Sequence, residues 1–389
     1  MDITIFPQKL SGRVNAIPSK SQAHRLLICA AFSDAETTLI CPETNRDIEA
    51  TADCLNALGA KIIRTNDGYL VNPIQTIPDS AVLNCCESGS TLRFMLPIVG
   101  ALGVDAVFRQ EGRLPQRPLS PLWEEMERMG CSLSRPTENT IRCTGKLLPG
   151  DYHITGSISS QFITGLLFAT SLIEGDCALL ISGKIESKPY ITMTEEAMRL
   201  FGAPHYHSPG TITVEGDWSN GAFWVAAQML GSSLTVHGLN SFSVQGDRAM
   251  VDISHQLLEG CPTVSAANIP DLVPVLSVIA AANHGAVFTD IRRLRLKESD
   301  RVATVIDMIK SLGGRAEAAE DSLVVYGTGL TGGTVNSFND HRIAMAAAIA
   351  ATCSTQPVTI LGAEAVNKSY PAFWEEYRKL GGNYEQYLR

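Results

Sequence analysis

Lys297-Glu298-Ser299-Asp300-Arg301 places two cations and two carboxylates in five consecutive residues, with only Leu296 between it and the basic run Arg292-Arg293-Leu294-Arg295. The residues that follow, Val302 to Ile309, are apolar at helical spacing, so the cluster lies at a helix start. Backbone N–H groups and the helix dipole at such a start attract anions, and a flanking Lys or Arg strengthens the attraction. A capped surface helix with i,i+4 ion pairs would use the same residue types. What favours chemistry is that the chain repeats the arrangement.

Pro18-Ser19-Lys20-Ser21-Gln22-Ala23-His24-Arg25 leads into the apolar run Leu26 to Phe32, crowding a Lys, an Arg and hydroxyls at a helix start without the glycine spacing of a Walker loop. Glu87-Ser88-Gly89-Ser90-Thr91-Leu92-Arg93 enters another helix, and Gly89 allows backbone amides close to an anion. In Arg113-Leu114-Pro115-Gln116-Arg117-Pro118 the second proline holds Arg117 extended, which aims its guanidinium. Ser159-Ser160-Gln161 and Ser187-Lys188-Pro189-Tyr190 are further hydroxyl-rich helix entries. Asn339-Asp340-His341-Arg342 opens the most apolar helix, where an Arg is costly to bury unless it meets an anion. Asp271 precedes the apolar run Leu272 to Ala282, either as a carboxylate favoured by the helix dipole or as a buried general base. His205-Tyr206-His207 has no further ligands at metal-binding spacing, so no metal site is read there.

The elements that carry these residues recur. An apolar helix end, a glycine, a short strand, a polar turn and a second strand appear at Gly59, Gly130, Gly202 and Gly313, more weakly at Gly260, with Gly381 closing the chain. Each glycine suits a left-handed helix C-cap. Six such units mean α/β architecture with mixed sheets, most naturally three units per domain and a boundary near Val214-Glu215-Gly216-Asp217. The helices Arg342 to Ala351 and Phe223 to Leu230 are apolar enough to be buried on most sides.

Hydrophobic content of 45% with only 18% charged residues describes an ordered chain with a large core. A net charge of −9 argues against a general nucleic-acid binder, while leaving room for a local positive site. The longest apolar stretches fall short of the ~20 residues a membrane span needs, and Met1 to Pro7 has no signal-peptide pattern. The ten cysteines contain no Cys-x-x-Cys and read as buried free thiols of a reducing compartment, the cytoplasm.

Pro18-Ser19-Lys20-Ser21, Ser159-Ser160-Gln161, Val214-Glu215-Gly216-Asp217, Lys297-Glu298-Ser299-Asp300-Arg301 and Asn339-Asp340-His341-Arg342, in this order, resemble the 5-enolpyruvylshikimate-3-phosphate synthase family of the shikimate pathway. The resemblance runs from Lys20 to Lys368. It implies a two-domain enolpyruvyl transferase-like α/β fold of six βαβαββ-type units, three per domain, with an interdomain active site. The domains implied are 1–17 with 219–389, and the inserted 18–218. The implied reaction moves the enolpyruvyl group of phosphoenolpyruvate to the 5-hydroxyl of shikimate 3-phosphate and releases phosphate, without metal or organic cofactor. The partners are these two small molecules, with no nucleic acid and no membrane, and a monomer is expected.

Matched residue by residue, the resemblance assigns Lys20, Gly89, Arg117, Gln161, Arg301, Arg342 and Lys368 to phosphoenolpyruvate. To shikimate 3-phosphate it assigns Ser21, Arg25, Ser159, Ser160, Ser187, Asp271 and Lys297, with Lys20 and Gln161 reaching both. Asp271 would take the 5-hydroxyl proton, and Glu298 or Lys20 would protonate the methylene carbon. Two phosphate monoesters and two carboxylates bring roughly five negative charges, against Lys20, Arg25, Arg93, Arg117, Lys297, Arg301, Arg342 and Lys368. The chain departs from the family pattern at Glu87 (usually Asn), Ser90 (usually Thr) and Arg293 (frequently Asn). It also lacks the usual strand-turn-strand between Gly260 and Asp271.

Two other readings use some of the same features. A UDP-N-acetylglucosamine enolpyruvyl transferase would carry a reactive Cys in a central loop, and Arg109 to Pro121 has none. A non-catalytic repeat protein binding nucleic acid through basic helix ends is disfavoured by the acidic total and by aromatics at only 6%.

Overall fold

The computed structural model describes residues 1–387, so the last two residues of the 219–389 domain expected from sequence lie outside the described residues. The chain divides into two compact units, Met1–Ile17 with Gly216–Arg389, and Pro18–Glu215. Each has its own hydrophobic core.

One sheet of the unit Pro18–Glu215 shows the repeated pattern complete. Ser80–Asn84 pairs in parallel with Asp105–Arg109, which pairs antiparallel with Thr140–Gly145, and Cys131–Thr137 completes the edge. The helix Gly89–Leu102 connects the two parallel strands, and Leu122–Arg128 leads to the hairpin. Spatial order is therefore first, second, fourth, third. The same order holds for Thr211–Thr213, Thr37–Ile40, Gly68–Asn72 and Lys61–Arg64, except that the chain supplies the first strand last. Gly59 and Gly130, at φ +104° and +112°, turn the chain from helix into hairpin as a left-handed cap requires.

The other unit repeats the order in Thr263–Ser265, Gly285–Thr289, Ser322–Tyr326 and Arg315–Ala318. It does so again in Gly333–Asn336, Val358–Leu361, Asp2–Ile5 and Tyr384–Tyr387, where the N-terminal strand fills the central fourth place. Burial follows the sequence pattern. Every residue of the helix His341–Ala350 is buried, and Trp224, inside Trp218–Met229, stacks on Phe373 with ring centres 5.0 Å apart.

Two units of the repeat are incomplete. Gly150–Thr155 with Cys177–Ser182, and Ser11–Asn15 with Ser233–His237, form two-stranded parallel sheets without a hairpin. The sequence reading expected a strand-turn-strand after Gly202. The glycine does adopt φ +73°, but only Thr211–Thr213 follows, and it joins a neighbouring sheet. Gly260 is not a left-handed cap: its φ of −176° is extended backbone. The chain there passes straight into Thr263–Ser265, so no reversal is needed. The ten cysteines are free thiols, but only six are buried: Cys86, Cys177 and Cys353 are partly exposed and Cys261 is exposed.

Candidate active site

In the unit Pro18–Glu215, polar residues gather where helices begin. Ser19 caps Lys20–Ala31, Ser88 caps Gly89–Leu102 and Ser159 caps Ser160–Leu172, each hydroxyl accepting a first-turn N–H. Gly89 is the focus. A β-carbon there would lie 2.6 Å from Arg93 Nη1 and 2.7 Å from Arg117 Nη1, so two guanidinium groups converge over a residue without a side chain. Like charges come together this way where an anion is to be held. Arg93 is fixed in place: Nη1 donates to Gln161 Oε1 at 2.9 Å and Nη2 to the Pro118 carbonyl at 3.1 Å. Gln161 Nε2 then donates to Ser90 Oγ at 2.9 Å, which links two helix starts. Arg117 is extended at ψ 136°, as the following proline demands.

Lys20 pairs with Asp47 at 2.9 Å. Arg25 is buried, and most of its donors serve the fold: Nε to Thr194, Nη1 to the Ser21 carbonyl, Nη2 to Thr164 and the Tyr190 carbonyl. Burial pushes it down to about 10, so it keeps its charge at neutral pH. Ser187 stands at φ +55° at the start of Lys188–Leu200. Cys86, Phe338 and Asn339 are also left-handed, and each lies within a few residues of an anion-type helix start, where strain is often concentrated. The Glu87 carboxylate packs over Gly112, which stands at φ +56°, so a β-carbon there would have to displace the carboxylate.

The second cluster belongs to the other unit and centres on Arg301, 1% exposed. Its Nη1 meets Asp271 Oδ1 at 2.5 Å, Nη2 meets Glu298 Oε2 at 2.7 Å and Nε meets Asp340 Oδ2 at 2.9 Å. Burial alone would weaken the Arg301 charge, but Asp340, Glu298 and Asp271 outweigh it and hold its pKa well above the usual value. Arg342 Nη2 lies 3.4 Å and Lys297 Nζ 3.8 Å from Asp271, so three cations surround that carboxylate. Burial pushes Lys297 down to about 8, with Arg301 and Arg293 adding to the effect and Asp271 opposing it. Lys368, at the end of the short helix Ala363–Lys368, donates to the Asn339 carbonyl at 3.0 Å.

Sequence reading counted cations without their partners. Asp47, Asp271, Glu298 and Asp340 stand against them, so the positive surplus is smaller than the cations alone suggest. Asp340 went unnoticed as a functional group. It is fully buried, caps His341–Ala350, and accepts from Ser299 at 2.9 Å as well as from Arg301. Its place just before an apolar helix was the available signal. Asp247 had no such signal: it is buried, accepts the Ser219 hydroxyl, and is pushed up to about 7 by burial and by Asp271.

Six repeats of this topology, two of them shortened, define the enolpyruvyl transferase fold. EPSP synthase from Acinetobacter baumannii superposes with a TM-score of 0.79 at 21% identity, covering 99% of this chain and 100% of that one. The enolpyruvyl transferase NikO from Streptomyces tendae does so at 0.73 and 16%, covering 99% and 98%. In sequence, the profile of the family described as EPSP synthase (3-phosphoshikimate 1-carboxyvinyltransferase) matches residues 6–377. The 3-phosphoshikimate 1-carboxyvinyltransferase of Clostridium kluyveri is 37% identical over 421 aligned positions, covering 99% of this chain and 98% of the relative. That of Clostridium acetobutylicum is 35% identical at the same coverage. The chain belongs to the EPSP synthase family.

Proposed function

We propose that the protein is a transferase that moves the enolpyruvyl group of phosphoenolpyruvate to the 5-hydroxyl of shikimate 3-phosphate and releases phosphate. The observation that carries the reading is Asp271 among three cations, Lys297, Arg301 and Arg342, at the start of an apolar helix. A carboxylate so placed is held in position by the cations around it. Substrate anions that draw Lys297 and Arg342 toward themselves free it to accept a proton.

In the reaction, Asp271 takes the 5-hydroxyl proton as that oxygen bonds to C2 of phosphoenolpyruvate. The methylene carbon gains a proton from Glu298 or Lys20 and becomes a methyl group. The C2–O bond to phosphate then breaks, the methyl group returns a proton, and the enol ether remains. Addition makes C2 electron-poor, and elimination shifts negative charge onto the departing phosphate, which Arg117, Arg301, Arg342 and Lys368 would neutralise. Gly89, Lys20 and Gln161 complete the phosphoenolpyruvate contacts. Ser21, Arg25, Ser159, Ser160, Gln161 and Ser187 would join Lys20, Asp271 and Lys297 around shikimate 3-phosphate. The reaction as drawn uses no metal or organic cofactor, its charged, water-borne substrates suit the cytoplasm, and we take the protein to be a monomer. Among the described residues no helix is long and apolar enough to cross a membrane.

The test is phosphate release from phosphoenolpyruvate in three arms: with shikimate 3-phosphate, with UDP-N-acetylglucosamine, and with neither. Release only in the first arm supports the reading, and Asp271→Asn should lower it by about 10²–10⁴-fold, the usual worth of a general base. Release only with UDP-N-acetylglucosamine would overturn it.

A further inference from the structure

His24, on the helix Lys20–Ala31, is fully buried and lies outside the ligand set proposed above. Its Nδ1 sits 2.7 Å from the Thr51 hydroxyl, which sits 2.7 Å from the Thr91 hydroxyl. Thr91 donates to Ser88 Oγ at 2.8 Å, while its alternative acceptor, the Asp47 carbonyl, is farther away at 3.4 Å. Ser88 also accepts the Thr91 backbone N–H at 3.2 Å. The four side chains form one line through three helices, and it ends on the residue before Gly89.

Proton counting gives the line a direction. A hydroxyl has one proton to donate. Thr91 directs its proton to Ser88, so Thr51 must supply the proton it shares with Thr91. The contact between Thr51 and His24 must then be made by a proton on Nδ1. Two facts agree. Burial, with Lys20 and Arg25 close by, holds His24 well below the usual histidine range, so the ring is neutral with a single N–H. Nε2 is buried with no hydrogen-bond partner, as suits the bare nitrogen of that tautomer. At the far end Ser88 receives two hydrogen bonds, and its own proton has no acceptor among the described residues.

We propose that His24 is a positioning residue: its Nδ1–H orients the Thr51–Thr91–Ser88 hydroxyls so that the Ser88 proton is presented to the phosphoenolpyruvate anion at Gly89. The inference rests on the proposed function for the identity of the anion. With the line reversed, Thr91 would donate to Thr51 instead, and Ser88 would lose the hydrogen bond that fixes its hydroxyl. An Nδ1–H on His24 therefore acts at a distance on what the Gly89 loop offers an anion.

Nitrogen-15 NMR of the histidine-labelled full chain should show His24 neutral with its proton on Nδ1 and Nε2 bare. A proton on Nε2 overturns the proposal. Kinetics supply a second readout. In His24→Asn the side-chain amide can donate to Thr51 in place of Nδ1, and the KM for phosphoenolpyruvate should stay within about twofold. His24→Leu removes the donor and should raise that KM about tenfold with kcat little changed, the scale of one hydrogen bond to a charged group. Equal effects of Asn and Leu, or no effect of either, would show that His24 only fills space. If the Leu variant does not fold, Thr51→Val breaks the line elsewhere: the same rise in KM supports the proposal and an unchanged KM overturns it. A wild-type protein without turnover would defeat the functional reading alone, because the NMR result stands without it.

Discussion

Gly89 matters through the side chain it lacks. The two guanidinium groups over it occupy the space a methyl group would need, and Arg93 is tied to Gln161 and the Pro118 carbonyl. Gly89→Ala should therefore fold normally, since only side-chain ends must move, but it should displace the anion contacts. A loss of 1.5–3 kcal/mol, about one charge-assisted hydrogen bond, corresponds to roughly a tenfold or larger rise in the KM for phosphoenolpyruvate. Inhibition by glyphosate, which the family resemblance implies, should weaken in parallel, as read from the inhibition constant. Unchanged values of both would remove Gly89 from the anion site. Lys297 gives a pH prediction. It loses its proton near pH 8 in the free fold, whereas an unfolded lysine keeps it to about 10.5. Shikimate 3-phosphate is already fully ionised there, its second pKa being about 6. Affinity measured by calorimetry should thus be flat below pH 7.5 and fall by up to about tenfold per unit above 8. Lys297→Met should bind weakly at every pH. The contribution of Lys297 to stability has the opposite sign: above pH 8 the unfolded chain holds the extra proton, so the fold gains as pH rises.

Helices set the spacing between these residues, and one contact fixes two of them. Pro97 has no N–H to offer the Arg93 carbonyl one turn earlier, and Gly165 packs against that carbonyl so closely that a β-carbon could not be accommodated. The helices Gly89–Leu102 and Ser160–Leu172 meet there, and both carry proposed site residues at their starts. Gly165→Ala should push them apart and destabilise the protein by about 1–3 kcal/mol, the usual cost of overpacking. Denaturant midpoints would measure this, and a wild-type midpoint would refute it. These helix starts were legible in the sequence because capping is local: Ser19, Ser88, Ser159, Asp300 and Asp340 each precede the N–H groups they accept. The helix-helix contact was not legible, since neither Pro97 nor Gly165 names its partner.

At the scale of the whole molecule, the two units differ in how the chain builds them. Pro18–Glu215 is continuous, and its core contains only its own residues. The other unit borrows Asp2–Ile5 as the central fourth strand of one sheet and Ser11–Asn15 as half of another. A fragment spanning 18–215 should therefore fold alone with a cooperative urea transition. The fragment 216–389 should not, because a sheet missing an inner strand exposes backbone groups and core surface. A cooperative transition in the second fragment would count against this assembly order.

The sequence by itself determined what depends on neighbours along the chain: helix starts and their caps, the glycine turns at Gly59, Gly130, Gly313 and Gly381, and the residue types able to meet anions. Its count of six units agrees with the six sheets because an apolar helix end and a glycine mark each unit locally. The lost hairpin after Gly202 escaped notice because a left-handed glycine only permits a reversal. Whether a strand follows depends on pairing with residues far away. Only the tertiary structure decided which charges meet. Arg301 draws Asp271, Glu298 and Asp340 from three places in the chain, and His24 reaches Ser88 through Thr51 and Thr91. A buried charge or hydroxyl must find its partner in space, and the spacing of residues along the chain carries no record of that distance.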